Sequence, residues 1–164
     1  MKPTIFLDAD ACPVTAEALA VARSCGVPVV IAGNSTQNLA RHLRRGDPRS
    51  PTDGFWADTL PVGVGADAAD FASVQELQPG DIVVTQDIGL AAMVLGRGAQ
   101  AIGVRGRVFT LAAIDLDLHI RHEEKKVRRQ GGRTKGPAAF EDDDRERFAA
   151  NLRRLVDKAL REGD

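Results

Sequence analysis

The sequence predicts an α/β fold in three layers, α/β/α, around a mostly parallel sheet. Three observations lead there. Short runs rich in Val and Ile alternate with longer Ala- and Leu-rich stretches, the pattern of a parallel sheet covered by helices on both faces. Turn residues such as Gly26 and Pro79-Gly80 stand where the runs stop. The 164 residues, 43% of them apolar, are one domain's worth of chain with enough apolar side chains for a core.

The elements follow in order. Thr4 to Leu7 is a strand that ends on Asp8. Pro13 suits a first helical position, and Val14 to Cys25 is a helix that Gly26 can end. Val27 to Ala32 is a β-branched second strand. Ser35 to Arg45 is helical and carries Arg41, Arg44 and Arg45, and residues 46–54 form a loop. Thr59 to Val64 is the third strand, and Ala66 to Leu77 the helix after it. Asp81 to Thr85 is a buried strand, Gly89 to Gly98 a helix, and Ala99 to Val104 the last strand. This core spans about 1–118. Residues 119–136, basic and Gly-rich, are expected to form an extended arm. A final helix over about 143–162 carries Phe148, Leu152, Leu155, Val156 and Leu160 on one stripe. Asp143 is its expected cap, with Glu146 completing a capping box.

Composition excludes several function classes. Six Phe, one Trp and no Tyr argue against a nucleic-acid binder that works by base stacking. Cys12 and Cys25 make neither a disulfide scaffold nor a zinc pattern, which fits a reducing cytoplasm. An acid at residue 8 interrupts any signal-peptide core, and no apolar run is long enough to span a bilayer, so no membrane role is expected. The 22 basic and 23 acidic side chains nearly cancel, but unevenly: residues 105–135 hold nine Lys and Arg against four Asp and Glu. Such asymmetry suits an acidic site beside a phosphate-seeking segment, although a solvated charged face explains the charge equally simply.

The carboxylates carry the functional argument. Asp8 and Asp10 follow the first strand, Asp87 follows the strand at 82–85, and Asp67 and Asp70 open the helix after the third strand. In an open parallel sheet all of these fall at the carboxyl ends of strands, where such folds hold ligands. Asp67 and Asp70 are three residues apart, on the helix face that continues through Phe71, Val74 and Leu77 toward the sheet. Carboxylates there need a positive partner. No Lys occurs between Lys2 and Lys125, so a hard divalent cation, Mg²⁺ or Mn²⁺, is the economical one. Taken singly, Asp10 or Asp67 reads as an ordinary helix cap. His119 and His122 lie among basic residues and read as surface groups, and Cys12 as a small packing residue. The glycines of GRGAQA follow a helix rather than open one and carry no dinucleotide motif, and there is no Walker A loop or GxSxG elbow.

The runs DADACP (8–13), GADAAD (65–70), TQDIGLAA (85–92) and VRG (104–106), with the tail TKGPAAF and DRERF, resemble the YaiI/YqxD family of small bacterial proteins over nearly the whole chain. That family is similar to the PIN-like and NYN nucleases, so the resemblance implies a PIN-like fold. It also implies metal-assisted hydrolysis of phosphodiesters, with RNA as the substrate. Asp8 and Asp87 match the acids after the first and fourth strands of those nucleases. Asp67 and Asp70 match their helix-start acids with a shorter spacing. Asp8, Asp67, Asp70 and Asp87 are then the expected metal ligands, and these four with Asp10 the catalytic set. Arg41, Arg44, Arg45, Arg105, Lys125, Lys126, Arg128, Arg129, Arg133 and Lys135 are the expected phosphate contacts. Lys135 departs from the family, which has a second Gly there. Two other readings stand beside this one. A binding module without catalysis would use the same fold. A haloacid dehalogenase-type phosphatase would use Asp8 of DADACP as nucleophile, but Cys12 replaces its Thr or Val and its Lys has no counterpart from residue 3 to 124.

Overall fold

The computed structural model describes residues 3–8, 13–34, 57–62, 77–129 and 139–162. Five strands form one sheet: β1 (Ile5–Asp8), β2 (Val29–Asn34), β3 (Ala57–Val62), β4 (Ile82–Val84) and β5 (Gln100–Ile102). Four helices are described: α1 (Thr15–Cys25), α2 (Ile88–Gly96), α3 (Leu111–Arg129) and α4 (Asp142–Glu162). The strand order is β3-β2-β1-β4-β5 and every pairing is parallel. Ile5 lies opposite both Val29 and Ile82, and Leu7 opposite both Ile31 and Val84, which makes β1 the central strand. The α/β/α architecture expected from the sequence is thus present. Among the described residues, no helix is long and apolar enough to cross a membrane.

Side-chain alternation explains the layers. Ile5, Leu7, Val29, Ile31, Ile82, Val84 and Ile102 point to one face, where they pack under Ala18, Val21 and Ala22 of α1 and Phe148, Leu152, Leu155 and Val156 of α4. Phe6, Val83 and Ala101 point to the other face and meet Leu90, Ala91 and Val94 of α2 with Ile114 of α3. A strand buried on both faces must be apolar at every position, and IFL and IVV are. Phe148 is fully buried; its truncation to Ala is worth about 3–5 kcal/mol.

Local signals set the helix ends. Gly26 takes a left-handed conformation (φ 68°), and the Val27 N–H donates back to the Ala22 carbonyl at 3.0 Å, closing α1. Asp87 caps α2 with its side chain. At α4 the expected cap is displaced. The helix begins at Asp142, so Glu141 holds the capping position, and Asp144 three residues on accepts the Glu141 N–H at 3.0 Å. That is half of a capping box, two residues earlier than Asp143 and Glu146 would place it. The stripe of α4 is as expected, with Ala159 added to its buried face.

The expected extended arm over 119–136 is corrected in its first part, because α3 runs without a break to Arg129. Ile114 anchors its start in the core, while Asp117 and Glu124 stand four residues before Arg121 and Arg128, a spacing that supports a helix. Leu116, Ile120 and Val127 are exposed on this helix. Residues 130–136 and the helix expected over 35–45 lie outside the described residues, as does the helix expected over 66–77 except for Leu77, which is not helical.

Candidate metal and nucleic-acid site

The strand order locates the site. From β1 the chain crosses to β2 and β3 on one side, and β4 and β5 lie on the other. The direction reverses between β1 and β4, and the crevice outside their carboxyl ends is where such a sheet holds a ligand. Asp8 is the last residue of β1, paired in register with Ala32. Beyond β4, Thr85 continues the ladder by donating its N–H to the Ile102 carbonyl at 3.0 Å, and it is buried. Its Oγ1 accepts the Asp87 N–H at 3.0 Å. Two of the five expected acids therefore belong to neighbouring strand ends. Asp10, Asp67 and Asp70 lie outside the described residues.

Asp87 has one occupied oxygen. Its Oδ1 accepts the N–H groups of Gly89 at 2.8 Å and Leu90 at 3.2 Å, the two donors that a helix start leaves unpaired. A side chain at Gly89 would put its Cβ 3.2 Å from that oxygen, so the glycine of TQDIG keeps room for the cap. The Oδ2 of Asp87 has no hydrogen-bond partner among the described residues, and the residue is exposed. Among the described residues, no three His, Cys, Asp or Glu side chains come together as a metal group.

The expected cations fall into three sets. Lys125 and Lys126 are exposed on α3, whose last residues are Arg128 and Arg129. Arg41, Arg44, Arg45, Arg133 and Lys135 lie outside the described residues. Arg105 is committed elsewhere: it donates to Asp144 at 3.2 Å and to the Ala139 carbonyl at 3.3 Å, and its guanidinium lies 5.5 Å from the Phe140 ring centre. His119 and His122 are exposed on α3.

Arg105 belongs to a clasp that joins the turn after β5 to the start of α4. Asp144 also pairs with Arg147 at 3.1 Å, and Asn151 Nδ2 donates to the Gly106 carbonyl at 2.6 Å. Gly106 has φ 93°, and a Cβ there would sit 2.7 Å from the Arg147 carbonyl carbon. Only glycine lets the turn lie this close to the helix backbone. The Glu141 amide, aided by Arg105 and Arg147, holds the Asp144 carboxyl below its ordinary value. The VRG and DRERF runs are thus the two halves of one contact. The sequence reading did not connect them, although the facing charges of VRG and DRER were the available signal.

A carboxylate that in the sequence is only part of a strand lies at the opposite edge. Asp81 is buried before β4 and accepts the Thr4 N–H on Oδ1 and the Gln78 N–H on Oδ2, each at 2.9 Å. Burial pushes its pKa up against the pull of those two bonds.

The model of the family described as "Uncharacterized BCR, YaiI/YqxD family" matches residues 6–158. A UPF0178 protein of Exiguobacterium sibiricum is 45% identical over 81% of this chain and 82% of its own. Another from Clostridium acetobutylicum is 39% identical over 93% of this chain and 95% of its own. A third, from Caulobacter vibrioides, is 40% identical over 98% of this chain and 97% of its own. No solved structure matches. A family match over nearly the full length, joined by relatives of this identity and coverage, places the chain in the YaiI/YqxD family.

Proposed function

We propose that the chain is a divalent-metal-dependent nuclease that hydrolyses phosphodiester bonds in RNA. The observation that carries this reading is the arrangement at the β1–β4 crevice. Asp8 ends β1 and Asp87 follows the end of the adjacent parallel β4 by three residues, and the second carboxylate oxygen of Asp87 has no partner among the described residues once the first has capped α2. Asp67 and Asp70, read from the sequence, complete the proposed ligand set, and Asp10 joins the proposed catalytic set. The donors are all carboxylate oxygens, which suit Mg²⁺ or Mn²⁺ and not a soft metal. Such an ion, when bound, lowers the pKa of a water and neutralises charge on a phosphate.

The chain's own residues do the rest. Thr85 fixes the Asp87 backbone, and the α2 amides hold one carboxylate oxygen, so the other has little freedom to wander. Lys125 and Lys126, with the other cations named from the sequence apart from Arg105, supply phosphate contacts that weaken with salt and read no sequence.

The test is cleavage of a single-stranded RNA with and without Mn²⁺. Asp8→Ala and Asp87→Asn are both expected to abolish the metal-stimulated rate. Asn keeps the oxygen that caps α2, so a loss in Asp87→Asn reports the missing charge and not a frayed helix. Full activity in both variants overturns the reading. One observation favours a second reading, a nucleic-acid-binding module without turnover: capping α2 is by itself a sufficient structural reason for Asp87. RNA binding that survives Asp8→Ala, with no cleavage under any divalent metal, would select it.

A further inference from the structure

Arg145 and Glu17 face each other across the carboxyl edge and take no part in the site as described so far. Arg145 lies in the first turn of α4 and Glu17 in the first turn of α1. The Nη1 of Arg145 donates to the Pro13 carbonyl at 2.8 Å and to Glu17 Oε1 at 3.1 Å. Phe140 supports the guanidinium from one face, with its ring centre 4.9 Å away. The same ring meets Arg105 at 5.5 Å, so the brace is continuous with the Arg105–Asp144 clasp. Both acceptors of Arg145 lie just beyond β1 in sequence: Pro13 is five residues after Asp8, and Glu17 four residues further. The last helix thus holds the start of the first helix at the edge where β1 delivers Asp8.

Glu17 has a second peculiarity. Its Oε2 is buried and has no hydrogen-bond partner among the described residues.

Resting on the metal reading above, we infer that Arg145 is a positioning residue. Through the Pro13 carbonyl and Glu17, it anchors the start of α1 at the carboxyl edge and thereby sets the metal affinity of the Asp8 end. It touches neither substrate nor metal. Residues of this kind, one step removed from the ligands, change metal affinity by about 10- to 100-fold when removed.

The test measures Mn²⁺ binding to the full chain by titration calorimetry and by loss of the free-ion electron paramagnetic resonance signal. It compares the unaltered protein with Arg145→Met, Arg145→Lys and Leu155→Ala, each at a temperature where circular dichroism shows it folded. Arg145→Met is expected to weaken binding about 10- to 100-fold. Arg145→Lys keeps the charge but not the planar fork that serves two acceptors, and it falls between. Leu155 is buried further along α4, so Leu155→Ala lowers stability and leaves the affinity unchanged. Unchanged affinity in both Arg145 variants overturns the positioning role and leaves the metal reading standing. An equal loss in Leu155→Ala also overturns it, since stability alone would then set affinity. No binding by the unaltered protein overturns the metal reading and this inference together.

Discussion

The two ends of β4 each carry an aspartate that accepts two backbone N–H groups, and the two do different work. Asp81, at the amino end, spends both oxygens, one on Thr4 and one on Gln78, and is buried. It ties β1 to the turn that precedes β4, and nothing is left over for a ligand. Asp87, beyond the carboxyl end, takes both donors on a single oxygen at the surface. The same side chain with the same number of bonds is a fastener in one place and a half-used acceptor in the other. A carboxylate at a strand end is therefore a functional candidate only when an oxygen remains after the backbone has been served.

The sharpest way to break this comparison is Asp81→Ala. It removes the acceptor of two partly buried amides, each bond to a charged group being worth about 1–3 kcal/mol, so urea unfolding should show a loss of about 2–5 kcal/mol. A loss below about 1 kcal/mol would mean that water reaches both amides and that Asp81 fastens nothing. Next in size is Asp87→Ala, which removes a surface cap and should cost about 1 kcal/mol, while Asp87→Asn should cost a few tenths. If Asp87→Asn were as damaging as Asp87→Ala, the charge itself would be structural and the contrast with Asp81 would weaken.

The smallest effect is in pH dependence, and its sign separates two carboxylates. The folded chain raises the pKa of Asp81 above its ordinary value of 3.8, so the native state binds the proton more tightly than the unfolded chain. Stability from this group is present at acid pH and declines as pH rises through the folded pKa. Asp144 behaves oppositely: its lowered pKa gives stability above the ordinary carboxylate range, lost as pH falls through the folded value. Urea unfolding from pH 2 to 7 on Asp81→Asn and Asp144→Asn should therefore remove slopes of opposite sign from the profile of the unaltered protein. Slopes of the same sign would contradict the assignment of burial to Asp81 and of hydrogen bonding to Asp144.

Most of the architecture was legible in the sequence because two periodicities were clean. Runs such as IFL and IVV are apolar at every position and so belong to strands covered on both sides. Phe148, Leu152, Leu155 and Val156 recur at helical spacing and are buried on α4. Gly26 and Asp87 ended and began helices for local reasons. What failed locally was decided elsewhere in the chain. Asp142, Asp143 and Asp144 follow one another, and local spacing chose the wrong register; the choice falls to Arg105 and Arg147, which hold Asp144. Residues 119–136 read as an arm because they are basic and Gly-rich, yet as far as Arg129 the helix continues from the turn that Ile114 anchors. Of the site, the sequence indicated Asp8 and Asp87 at the carboxyl edge. It could not indicate Arg145 against Glu17, a contact across 128 positions that no local pattern records.

Helices α1 and α4 lie side by side on one face of the sheet, with Arg145 against Glu17 near their starts and Arg153 against Ser24 further along. During synthesis, that face has only α1 for cover until residues 142–162 have left the ribosome. The nascent polypeptide must carry Ile5, Leu7, Ile31, Ile82 and Val84 half covered for most of its elongation, a window in which sticky surface invites aggregation and chaperone capture. A stalled or prematurely terminated product would lack the second half of that cover and become a substrate for cellular quality control.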